Sequence, residues 1–85
     1  MDPRRLLARL ARGDVANVSF SDMRGLVEAL GFELRRTSGS HHVFVHPAVR
    51  ELVNLQEVGG QAKPYQVRQF LRLVERYALR MEDGR

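Results

Sequence analysis

The stretch Gly39-Ser40-His41-His42-Val43-Phe44-Val45-His46-Pro47 decides how this chain is read. Its β-branched and aromatic centre favours extended backbone. Ser38-Gly39-Ser40 in front of it is a turn signal, and Pro47 stops it. His41–His46 is therefore expected to be a strand. Upstream, Phe32–Thr37 alternates, with Phe32, Leu34 and Arg36 on one face and Glu33, Arg35 and Thr37 on the other. Downstream, Leu52–Gln56 forms a third strand after a turn over Pro47–Arg50. Connections this tight give an antiparallel meander.

Helical signals flank the meander. Asp2 can cap and Pro3 suits a first turn, so Asp2–Arg12 reads as a short helix with Leu6, Leu7 and Leu10 in one stripe, ended by Gly13-Asp14. Phe20–Leu30 reads as a second helix. Ser19 and Asp22 form a capping-box pattern, Phe20, Met23, Leu26, Val27 and Leu30 share a face, and Gly31 is the stop. Glu57–Lys63, which contains Gly59-Gly60, reads as a loop. Pro64 then opens a long helix to about Arg80, with Val67, Phe70, Leu71, Val74, Tyr77, Ala78 and Met81 in a stripe and Arg68, Arg72, Glu75 and Arg76 off it. The tail Glu82–Arg85 is expected to fray. The order α-α-β-β-β-α places the chain in the α+β class, with helices on one face of a three-stranded antiparallel sheet.

Composition narrows the function. The chain has 85 residues, 44% of them hydrophobic, enough for one domain with a modest core and too many for disorder. Without cysteine it has no disulfide framework and no thiolate nucleophile, which fits a reducing, cytoplasmic setting. Its first residues contain no apolar run suited to a signal peptide or membrane span. The net charge is +4, and Lys63 is the only lysine among 14 cationic side chains. Arginine gives bidentate contact to phosphate, so the charge favours a nucleic-acid partner, although a codon preference for arginine explains it equally well.

All three histidines lie in His41–His46. On a strand His41 and His42 diverge, while His42 and His46 share a face about 13 Å apart. Zinc–nitrogen bonds of about 2.0–2.1 Å cannot bridge that gap, so no metal or other cofactor is expected. Acid–base chemistry is the better reading, since imidazole takes up and gives back a proton near neutral pH. RNA cleavage by internal attack needs a base for the 2′-hydroxyl proton, an acid for the leaving 5′-oxygen and a cation for the phosphorane charge. A strand histidine on a small domain is more often structural, so this reading needs further support.

That support is a resemblance. Gly31-Phe32, Arg36, Gly39-Ser40-His41-His42 and His46-Pro47 together are similar to the signature of HicA-type toxins. The resemblance implies a fold like the double-stranded-RNA-binding domain, α-β-β-β-α, here with an extra N-terminal helix. It also implies a ribonuclease that cleaves mRNA and is held inactive by a HicB-type antitoxin. It assigns the catalytic role to the histidine after Gly-Ser, which is His41. Gly39 and Ser40 then position backbone and phosphate, and Arg36 and Lys63 are the candidate phosphate contacts. On this reading residues 1–17 are an accessory helix and 18–81 the family core within a single domain, 1–85. Two departures stand out: the N-terminal helix, and Asn54–Tyr65, where the family's Pro-x-His stretch and Gly-Thr helix start are missing. The alternatives are a non-catalytic RNA-binding module and a protein-interaction module of the same fold.

Overall fold

The computed structural model describes residues 1–81. The expected behaviour of Glu82–Arg85 lies outside the described residues. Three helices and four strands are present among them: α1 Pro3–Ala11, α2 Phe20–Ala29, β1 Glu33–Ser38, β2 His41–His46, β3 Val49–Val58, β4 Gln61–Ala62 and α3 Pro64–Arg76. The strands form one antiparallel sheet in the order β1-β2-β3-β4.

Local chemistry sets the helix starts. The Asp2 carboxylate accepts the Arg4 N–H at the start of α1, and Ser19 Oγ accepts the Asp22 N–H at the start of α2. Gly31, at φ +97°, supplies the left-handed residue that ends α2. Leu6 and Leu10 of α1 are 0% and 1% exposed and share one core with Met23, Leu26 and Val27 of α2, Phe44, Val53 and Leu55 of the sheet, and Val67 and Phe70 of α3. The core-facing sheet positions lie against the helices. On the opposite face Arg36, Ser38, His41, Leu52 and Asn54 are exposed.

Four expectations need correction. The sheet has a fourth strand, because Gly59 and Gly60, both at positive φ, turn the chain back so that Gln61 and Ala62 pair with Val58 and Glu57. The expected loop is thus largely a tight hairpin, and the Phe20 N–H donates to the Gly60 carbonyl to join it to α2. Second, β3 starts at Val49 rather than Leu52, since only Pro47 and Ala48 are needed to reverse the chain between the paired residues His46 and Val49. Third, α3 stops at Arg76. Ala78, at φ +51°, takes the left-handed position, Leu79 N–H reaches back to the Val74 carbonyl, and Ala78 N–H reaches the Glu75 carbonyl. These bonds make a Schellman cap, and Tyr77, Leu79 and Met81 continue along the core without helix. Fourth, a bulge at Arg35 breaks the alternation of β1. Leu34 pairs with Phe44, but the next pair is Arg36 with Val43. Leu34 and Arg36 therefore face opposite ways.

Candidate active site on the open sheet face

His41 stands at the entry to β2, after a two-residue turn closed by the pair Ser38 and His41. Gly39 occupies the first turn position at φ +59°, a conformation that suits glycine and the twist of a hairpin. The His41 side chain is exposed on the uncovered face, between Ser38 of β1 and its β3 partner Gln56.

The turn beneath it is held from two sides. The Ser40 carbonyl accepts the Glu57 N–H at 3.0 Å and lies 3.1 Å from His42 Nδ1. A carbonyl only accepts, so His42 Nδ1 carries the proton. The His42 ring points into the helix layer, 4.6 Å between centroids from Phe20. The third histidine has another task. His46 Nδ1 accepts the Ala48 N–H at 3.0 Å, and its ring lies edge-on to Phe32 at 5.0 Å. The three imidazoles therefore separate into one exposed group and two that fix turns. Among the described residues no three His, Asp or Glu side chains gather as a metal site.

Of the other sequence candidates, Gly39 and Ser40 form the turn itself. The Arg35 bulge brings Arg36 onto the face of His41, in the diagonal cross-strand position. Lys63 is the N-cap residue of α3, and its Nζ sits 5.6 Å from the centre of the Tyr65 ring. The link from this end of α3 to the partner of His41 is made by residues that sequence reading did not select. Gln66, the one buried polar side chain among the described residues at 6% exposure, accepts the Gln56 N–H through Oε1 at 2.7 Å. Gln66 Nε2 in turn donates to the Tyr65 hydroxyl at 3.4 Å. The first turn of α3 is thus bound to the strand position directly across from His41. No sequence signal exposed this link, because Gln66 lies beside the apolar stripe of α3 and its partner is ten residues away on another element.

Two carboxylates are displaced in their titration, both away from this face. The Met1 ammonium, 2.8 Å from Asp22, holds that carboxyl below its usual range, helped by the Ser19 hydroxyl. The Tyr77 hydroxyl, 2.7 Å from Glu51, lowers that carboxyl, with smaller help from its own backbone N–H and from Arg76. A groove of about 500 Å³ lies between α1 and α3 in the helix layer. His41 sits on open surface instead, which suits a polymer better than a small enclosed ligand.

No helix among the described residues is long and apolar enough to cross a membrane. Neither a curated protein nor a solved structure matches the chain. Residues 20–75, from the first residue of α2 to the penultimate residue of α3, match the HicA toxin of bacterial toxin–antitoxin systems. That segment contains the His41 turn, its Gln56 partner and the α3 start, and the chain belongs to the HicA toxin family.

Proposed function

We propose that this protein is an endoribonuclease toxin that cleaves mRNA without a metal, and that a HicB-type antitoxin covers the His41 face to silence it. The observation that carries the reading is the placement of His41: an exposed imidazole, at a glycine turn pinned from two sides, on the uncovered face of a sheet in a chain of this family. Apart from the two-residue β4, the order α2-β1-β2-β3-α3 is also the arrangement of double-stranded-RNA-binding domains, which meet RNA through shape and phosphate contacts.

In the reaction the 2′-oxygen attacks the adjacent phosphorus and the bond to the 5′-oxygen breaks. One proton leaves the 2′-hydroxyl and one reaches the departing oxygen, giving a 2′,3′-cyclic phosphate and a free 5′-hydroxyl. His41 carries one of these transfers, a contribution of about 10²–10⁴-fold in rate. Arg36, diagonal to His41, meets the charge that builds on the phosphorane. Gly39 lets backbone approach the phosphate, and Ser40 and Lys63 supply further contacts.

Inducible expression of the parent and of His41→Ala, with growth and RNA integrity followed, tests the assignment. The parent should arrest growth and fragment mRNA while His41→Ala does neither. Equal behaviour of the two overturns the role of His41, and loss of purified activity in EDTA overturns the metal-free route. A His41→Ala protein that binds RNA as the parent does, from a parent that never cleaves, establishes the binding-module alternative.

A further inference from the structure

We infer that Tyr65 is a stacking platform for an unpaired base of the RNA, seated beside the scissile phosphate at His41. The inference rests on the ribonuclease reading above and adds a binding site to it. The chain has six aromatic residues. Phe20, Phe32, Phe44 and Phe70 are buried, and Tyr77 is half-buried with its hydroxyl donated to Glu51. Tyr65 is 50% exposed, the only large exposed aromatic among the described residues.

Its position is specific. Tyr65 lies in the first turn of α3, which the Gln66 amide ties to Gln56, the cross-strand partner of His41. Two hydrogen bonds and one strand spacing separate the phenol from the imidazole's backbone. The row of α3 that carries Tyr65 runs along β3. Gln69 and Leu73, one and two turns further along the same row, line a small cleft with Leu52 and Asn54. The Tyr65 end of α3 is therefore anchored at the β3 position that pairs with His41. The Lys63 ammonium lies over one face of the Tyr65 ring, 5.6 Å from its centre, so the base takes the opposite face.

The chemistry asks for such a platform. Attack by the 2′-oxygen must be in line with the departing 5′-oxygen, and A-form stacking holds the two out of line. A nucleotide at the cut must therefore leave its stack, and an aromatic ring that receives the freed base stabilises that geometry. Base–aromatic stacking is worth about 1–3 kcal/mol, or roughly 5- to 150-fold in affinity. A duplex, whose bases are already stacked, gains nothing from it.

Binding measured in the His41→Ala background isolates this site from cleavage. The probes are a short mixed-sequence single-stranded RNA carrying one 2-aminopurine and a duplex of matched length, read by anisotropy and by quenching of the 2-aminopurine. Tyr65→Phe and Tyr65→Trp should bind the single strand as tightly as the His41→Ala parent and retain the quench. Tyr65→Leu should lose roughly 5- to 150-fold on the single strand with almost no loss on the duplex. Full single-strand affinity in Tyr65→Leu overturns the platform and leaves the nuclease reading standing. An equal loss on both RNAs also overturns it, since that pattern reports a disturbed surface. If the His41→Ala parent binds neither RNA, both readings fall.

Discussion

Gly31 and His46 are fifteen positions apart in sequence and touch in space, which makes the substitution Gly31→Ala informative. The residue sits at φ +97°, and a Cβ there would stand 2.9 Å from His46 Nε2. Two costs follow. Left-handed backbone costs an L-residue about 1–2 kcal/mol, of which the stiffer unfolded chain returns about 0.4–1. The methyl must also move the His46 ring, which costs up to the Ala48 N–H bond, about 0.5–1.5 kcal/mol, and part of the edge contact with Phe32, of similar size. The sum is about 1–4.5 kcal/mol, on the order of 5–35 °C in Tm for a domain of this length. The partner variant His46→Ala removes the obstacle and leaves only the backbone cost. Urea unfolding of the four proteins of the cycle, followed by circular dichroism, separates the terms. Gly31→Ala should cost at least about 1 kcal/mol less in the His46→Ala background than in the parent. Equal cost in both backgrounds, to within the ~0.3–0.5 kcal/mol of independent sites, would refute the packing of the imidazole over Gly31.

Three further outcomes are expected. His42→Leu removes the donor to the Ser40 carbonyl while keeping an apolar group near Phe20, so RNA cleavage should fall by about 10- to 100-fold with little change in Tm. His42→Asn, whose amide can donate in place of Nδ1, should recover much of the rate, and equal rates for the two variants would show that the bond does not position His41. Gln66→Leu strands the Gln56 N–H and should cost about 1–3 kcal/mol in urea unfolding, whereas Gln66→Glu keeps an acceptor and should cost less. Glu51 has a lowered folded pKa, so its contribution is present above the unfolded carboxylate value near 4.3 and is lost as pH falls through the folded value. Glu51→Gln should therefore flatten the fall of Tm between about pH 5 and pH 3, and an unchanged slope would remove Glu51 from the acid transition.

Much of this architecture was legible because single residues announce it. Ser19 and Gly31 mark the ends of α2, and Gly39 and Pro47 bracket β2. Strand alternation alone separated His41 from His42, and the structure keeps them on opposite faces. The resemblance also gains a physical content, for its Gly-Phe and His-Pro pieces are the two sides of the Gly31, Phe32 and His46 contact. What escaped was set by tertiary structure. Gly59-Gly60 signals a turn but not whether two residues beyond it will pair. Ala78 ends α3 in a conformation that glycine would have advertised. A bulge at Arg35 is invisible to a period of two, so strict alternation puts Arg36 on the wrong face. The tie from Gln66 to Gln56 depends on how α3 docks, which no local pattern encodes.

The one-sided sheet has a consequence for how such a toxin can diverge. The apolar core lies between the sheet and its helices, whereas Arg36, Ser38, His41 and Asn54 stand on the face that bears no core. Exposed positions of this kind tolerate exchange at about ±0.5 kcal/mol. Drift around His41 can thus proceed almost without a thermal penalty. Two toxins of this build could come to cut different RNAs and still melt at the same temperature.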